Sequence, residues 1–172
     1  IKDVSLYDHL KTTAALSICL YDVKESGETP KDRFLLIGGD FSGIQSYLYQ
    51  IVSKYAGKNL KGRSFYIRML SDSIVRYLIK ELNLTQANII YNSGGGFYIL
   101  APNIKSINDK LGNAIQHIEK QVFAMHGTSL YVAIDSVPLS DNALMHKNGE
   151  NIGDVWGKLF LKRDKRKNQR YA

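Results

Sequence analysis

The 172-residue chain has very little of what would place it in several familiar protein classes. It holds one cysteine, Cys19, so an internal disulfide is excluded, and so is a zinc site built from cysteines alone. Its apolar neighbours predict that Cys19 is a buried small hydrophobe, and a reducing, cytoplasmic setting fits this usage. Proline is scarce and no low-complexity tract is present, which argues against a disordered linker. No apolar run approaches the roughly 18 residues needed to cross a bilayer, so no membrane is expected as a partner. A signal peptide is lacking, and the chain opens on Ile1 rather than Met, which reads as a piece of a longer protein. Neither a Walker lysine arrangement nor a complete dinucleotide fingerprint occurs. Asp8-His9 has no second histidine close by in sequence, and nothing in the spacing supports a Ser-His-Asp constellation.

What is present is an ordinary globular composition, long enough for one domain with a sizeable core. The net charge of +7 is concentrated: from Lys158 onward there are seven Lys/Arg and one acid, Asp164. The body is close to neutral, so charge alone argues weakly for nucleic acid, and this terminal cluster reads as a solvated or RNA-facing helix. A second basic block, Lys54, Lys58, Lys61, Arg63 and Arg68, has no acid between Phe41 and Ser71.

Periodicity predicts a helix over 5–21, capped by Ser5, with Leu10, Thr13, Ala14 and Ile18 on its apolar face. A polar loop at 25–31 is the best internal boundary. Residues 34–37 form a continuous apolar run, as expected of a strand buried on both faces. Ile44, Tyr47, Leu48, Ile51, Val52 and Tyr55 follow a helical period. A break is expected at 57–62, then a helix over 64–82 with Ile67, Leu70, Ile74, Tyr77 and Leu78 inward. Strands at 88–91 and 97–101 make a hairpin. A helix from about 104 to 126 turns Ile107, Leu111, Ile115, Ile118 and Val122 inward. Leu130, Val132 and Ile134 alternate with Tyr131, Ala133 and Asp135, predicting a half-exposed strand. Residues 141–153 read as loop and 155–170 as a short basic helix. The order β-α-α-β-β-α-β is an α+β, ferredoxin-like arrangement in its nucleotide-cyclase or palm version, with an antiparallel sheet and helices on one face.

Two glycine-rich segments carry most of the chemistry: Gly38-Gly39-Asp40-Phe41-Ser42-Gly43 and Ser93-Gly94-Gly95-Gly96-Phe97. Nucleotidyl-transferring palms place carboxylates on neighbouring strands at these points, where two Mg²⁺ ions activate the attacking hydroxyl and neutralise phosphate. Asp40 could supply one weak Mg²⁺ ligand, but a single carboxylate makes a poor site, and a turn or capping role is the stronger expectation. Ser42-Gly43 opens a helix, where backbone N–H groups favour phosphate. Three consecutive glycines at the hairpin exceed what a tight turn needs, which suggests a base or triphosphate against the backbone. Lys61 and Arg63 are candidates for phosphate contact, with a solvated surface as the alternative.

Together, residues 3–15, Gly39-Asp40-Phe41-Ser42-Gly43-Ile44-Gln45, Leu60-Lys61-Gly62-Arg63-Ser64-Phe65-Tyr66 and 88–98 resemble the Csm-type (III-A) large signature subunit of type III CRISPR effector complexes. The resemblance implies a parent protein with an HD nuclease domain that cuts single-stranded DNA, followed by two palms. When target RNA is bound, the palms convert ATP, with Mg²⁺, into cyclic oligoadenylate. The second palm carries Gly-Gly-Asp-Asp; here Gly95 and Gly96 stand at the two acids, so this chain is similar to the first, non-catalytic palm. On that resemblance no catalytic residue or metal site is expected in this piece. Asp40, Phe41, Ser42, Gly43, Gly94, Gly95 and Gly96, with Lys61 and Arg63, would contribute an ATP pocket. Residues 1–30 would leave the HD domain, 31–140 would form the palm, and 141–172 would lead to an inter-palm module. The expected partners are the second palm, other subunits of the complex and, indirectly, guide and target RNA. A free-standing nucleotide cyclase and an RNA-binding ferredoxin-like scaffold are the alternatives.

Overall fold

The computed structural model describes residues 5–49 and 56–170. Ile51, Val52 and Tyr55, predicted to continue a helical stripe, lie outside the described residues. Helix α1 (Leu6–Ser26) is capped as expected: the Ser5 hydroxyl accepts from the Asp8 N–H at 3.1 Å, and Gly27 closes the helix at φ 71°. Its buried stripe is Ala15, Cys19 and Val23. Leu10 and Thr13 face solvent, because the smaller residues let the helix sit closer to the sheet.

Strand β1 (Phe34–Ser42) runs well past the apolar segment and carries Gly38, Gly39 and Asp40 inside the sheet. A short helix α2 (Ile44–Tyr49) follows, then α3 (Ala56–Glu81). The predicted break at 57–62 does not occur: α3 passes through both Gly57 and Gly62. A glycine costs a helix only about 1 kcal/mol, and the buried side chains from Ile67 to Ile79 anchor the same helix. Strands β2 (Ile89–Ser93) and β3 (Gly96–Pro102) form the hairpin, and α4 (Lys105–His126) buries the predicted stripe from Ile107 to Val122. Strand β4 (Tyr131–Leu139) continues through Pro138, which is tolerated because β4 is an edge strand. A short helix α5 (Asp141–Met145) stands where loop was expected, and α6 (Ile152–Asn168) completes the described chain.

The sheet order is β2-β3-β1-β4, and each neighbouring pair is antiparallel. This is the ferredoxin-like α+β arrangement predicted from the element order. Alternate residues of β1 supply two separate cores. Leu35, Ile37 and Phe41 pack with α3 and α4 against Phe97, Ile99 and Ile134. Phe34 and Leu36 point the other way, into a second core with Cys19 of α1 and Val155 and Leu159 of α6. Helices α2, α3 and α4, which lie between strands, therefore share one face, and the added terminal helices cover the other. For the same reason β4 is buried on both faces rather than half-exposed: Tyr131 and Ala133 are buried along with Val132 and Ile134.

Two close approaches explain β1's paired glycines. A side chain at Gly39 would fall 2.1 Å from Cζ of the fully buried Phe97, and one at Gly38 would meet Leu159 Cδ2 at 2.8 Å. Cys19 accepts a long hydrogen bond from the buried Asn88 amide at 3.7 Å, and burial pushes its thiol up to about 12.

Candidate functional site

Asp40 lies opposite Gly96 on β3 and Ala133 on β4, at the end of β1 beside the hairpin tip. As an even-numbered strand residue it faces the α6 side, where its carboxylate accepts from the Lys167 ammonium. Two residues on, Ser42 Oγ accepts from Arg170 Nη1 at 3.2 Å. One turn earlier on α6, Arg163 is buried; it donates from Nη2 to the Tyr98 hydroxyl at 3.0 Å and stacks its guanidinium 5.0 Å from the Tyr98 ring. Arg163 Nε has no hydrogen-bond partner among the described residues. The terminal basic cluster is thus not simply solvated. Arg163 and Lys167 share a face of α6, and Arg170 follows in the turn just past the helix end, so that all three lie along β1.

The hairpin is tighter than the glycine run suggests. Ser93 pairs with Gly96, which leaves a two-residue loop of Gly94 and Gly95 with φ of 63° and 86°, as a type I′ turn requires. Gly95 is buried, and a Cβ there would lie 2.5 Å from Ile44 Cδ1. Gly96 differs: nothing lies within 3.7 Å of a Cβ placed there, and Asp40 Oδ1 is among its nearest atoms at 3.8 Å. Of the two positions assigned to missing acids, only 96 has room for a side chain beside Asp40.

The remaining predicted residues fall elsewhere. Phe41 is buried and its N–H is already bonded to Gly95 O at 3.0 Å, so it cannot also be offered to a phosphate. Gly43 has φ 90° and would place a Cβ 2.3 Å from Ser129 O, so a packing contact by itself accounts for this glycine. Lys61 and Arg63 belong to α3, on the sheet face opposite Asp40. Lys61 is exposed, whereas Arg63 donates to Tyr47 O and covers the Tyr47 ring at 5.0 Å. The Asp8 carboxylate accepts from the Ser5 hydroxyl at 2.6 Å, and no hydrogen bond joins Asp8 to the His9 ring among the described residues.

Asp40 fits a divalent ion poorly. Mg²⁺ seeks six oxygens in a tight octahedron, whereas this carboxylate is bonded to an ammonium and faces a glycine. No group of three or more His, Cys, Asp or Glu able to hold a metal occurs among the described residues. The ammonium, by contrast, suits an anionic ligand.

Two grooves flank this end of the sheet. One of about 390 Å³ lies between α2, α3 and the hairpin tip, lined by Ile44, Leu48, Arg68, Ser71, Asn92 and Gly94 among others. Asn92 is fixed there by Ser71 at 2.9 Å and Asp72 at 2.7 Å. The other, about 770 Å³, runs between α4, β4 and α6; Lys120, Lys162, Lys165 and Arg166 line it together with Glu119 and Asp135, which pair with Lys162 and Arg166. There burial, then Glu119, pushes the Tyr131 phenol up to about 12. Sequence reasoning missed the α6 cations as site residues. Their i, i+4, i+7 spacing was available, but nothing local says that the helix folds back onto β1.

Strand order β2-β3-β1-β4, with every neighbouring pair antiparallel, defines a ferredoxin-like α+β domain. Residues 33–172 match the family model described as Csm1 subunit domain B, and the chain belongs to that family. It is 36% identical over 187 residues to the Methanocaldococcus jannaschii CRISPR system single-strand-specific deoxyribonuclease Cas10/Csm1 (subtype III-A), with 91% of this chain and 23% of that protein covered. The Enterococcus italicus protein of the same description is 33% identical over 190 residues, covering all of this chain and 25% of its own length. A Csm1–Csm4 cassette in complex with cA3 superposes with a TM-score of 0.86 at 31% identity, over 98% of this chain and 24% of that one. The Csm1–Csm4 cassette in complex with one ATP gives 0.84 at 31% identity, over 96% and 23%. The chain spans about a quarter of the length of these relatives. Among the described residues no helix is long and apolar enough to cross a membrane.

Proposed function

We propose that this chain is the first, non-catalytic palm of a type III-A CRISPR large subunit. It contributes an ATP pocket to cyclic oligoadenylate synthesis and a scaffold for the RNA-guided complex. The observation that carries this reading is the strand end itself: one carboxylate, Asp40, bonded to Lys167 and facing Gly96, where a catalytic palm carries acids. Nucleotide contacts would centre on Asp40, Ser42, Gly43 and Gly94 to Gly96. In the full two-palm protein, ATP with Mg²⁺ is the substrate and the metal-binding acids belong to the other palm. The ATP and cA3 complexes of the structural neighbours support a nucleotide role for this domain.

On this reading residues 1–30 connect to an HD nuclease domain, 31–140 form the palm, and 141–172 lead to the inter-palm module. The second palm, a Csm4-type subunit and, indirectly, guide and target RNA are the partners, in the cytoplasm. A free-standing cyclase is disfavoured because Asp40 lacks a carboxylate neighbour across the ladder. Photolabelling of the full-length subunit with 8-azido-ATP, mapped by mass spectrometry, should modify peptides of this domain. The isolated chain with Mg²⁺ and ATP should make no oligoadenylate; robust product from it overturns the proposal.

A second reading, an RNA-binding scaffold, draws on the basic groove between α4, β4 and α6. A salt-sensitive RNA shift that ATP does not compete would favour it.

A further inference from the structure

Helix α6 and the turn that follows it bring three cations to β1, and the strand offers them one carboxylate. Lys167 is held by Asp40 and Arg170 by Ser42, while Arg163 has no ion-pair partner among the described residues and sits against Gly39 O at 3.4 Å and Tyr98. This row carries an excess of positive charge, part of it buried, which calls for an anion. Strand residues two apart lie about 7 Å apart, so cations held at Asp40 and Ser42 suit a chain of phosphates better than a single small anion. The way in is open, because Gly96, beside Asp40, presents no side chain.

We propose that Lys167 and Arg170 are the phosphate-binding residues of this palm, and that the Lys167 ammonium takes the position at Asp40 that a divalent ion would otherwise hold. The proposal rests on the nucleotide reading above and deepens it: the polyphosphate of ATP meets fixed cations of the protein here, without a metal ion of this palm's own. Asp40 then acts as the counter-ion of Lys167 rather than as a metal ligand, competing with phosphate for the ammonium. Neutralising it therefore has the opposite sign from removal of a metal ligand.

The test uses the full-length subunit with its partner subunit and the 8-azido-ATP probe, with and without EDTA, scoring label on peptides of this domain. Wild type is expected to label this domain in EDTA as well as in Mg²⁺. Lys167→Ala and Arg170→Ala are each expected to lower that labelling about tenfold, the loss typical of a charge-assisted contact. Lys167→Arg should keep most of it. Asp40→Asn, which frees the ammonium, should label at least as well as wild type. Lys110→Ala, an exposed change on α4, is the control, and thermal melts confirm that each variant is folded. Undiminished labelling in folded Lys167→Ala and Arg170→Ala overturns the α6 assignment and leaves the nucleotide reading intact. Loss of label in both Asp40→Asn and EDTA overturns it in favour of a metal at Asp40. No label on this domain in wild type defeats the nucleotide reading, and this proposal with it.

Discussion

Adding one methyl group at Gly39 tests the packing of the whole sheet end. The Cβ of Gly39→Ala would sit 2.1 Å from Phe97 Cζ and 2.2 Å from Cε1. Carbon atoms pack at about 3.5–4.0 Å, so the ring must retreat by roughly 1.5 Å. It has nowhere to go: Phe97 is fully buried in the core shared with α3 and α4. Overpacking costs about 1–3 kcal/mol, and losing the ring altogether costs about 3–5 kcal/mol. Gly39→Ala should therefore destabilise by ~3 kcal/mol, near the top of the overpacking range. The backbone itself needs no glycine, because Gly39 is absent from the positive-φ positions. It follows that Phe97→Ala should absorb the extra methyl, and in that background Gly39→Ala should cost under ~1 kcal/mol, a coupling of ~2 kcal/mol or more. Urea melts of the four members of the cycle measure this. Additive effects would refute the argument and point to strain in the strand. Gly38→Ala is the internal comparison: its Cβ would meet one methyl of the buried Leu159 at 2.8 Å and the Tyr98 ring at 3.1 Å, shallower overlaps than at Gly39, so ~1 kcal/mol is expected.

Two further outcomes follow from single residues. Gly62 and Gly112 lie inside helices with no atom of the other described residues within 4 Å of an added Cβ, so each change to Ala should stabilise by about 0.5–1 kcal/mol in thermal or urea melts. A loss of stability there would reveal a contact made through that surface. Burial lowers the His126 imidazole, bonded to Tyr66 at 2.8 Å, below its ordinary 6.5. The unfolded chain therefore takes up this proton first: the contribution is complete above about 6.5 and is lost as pH falls below it. His126→Gln should flatten the decline in stability between pH 7 and 5, and an unchanged slope would exclude this histidine as its source.

Local pattern was enough to read much of the fold. The stripes of α3 and α4, the cap at Ser5 and the antiparallel hairpin follow from periods and turn residues that act over a few positions. The failures are long-range. Leu10 looked apolar enough to face inward, yet the small residues Ala15 and Cys19 set the contact, because distance of approach to the sheet decides it. Tyr131 and Ala133 read as half-exposed because the sequence does not announce a helix on the second face. The site divided in the same way. Asp40 and the hairpin could be singled out, since glycine and acid at a strand end are locally unusual. Their partner Lys167 stands 127 positions away in a run of basic residues, where periodicity gives the helix but not its neighbour. The three glycines of the hairpin have two different jobs, turn geometry at 94 and 95 and an open position at 96, and only the strand register separates them.

Helices on both faces leave this sheet only its two edges for meeting another backbone. On one of them, β4, Pro138 offers no N–H while remaining in register with Leu35. A strand arriving from outside would find a donor missing near the C-terminal end of β4, and strand-by-strand growth at that end is discouraged. The β4 edge thus resists unplanned pairing, and side-chain surfaces on the helices are left to choose the domain's neighbours.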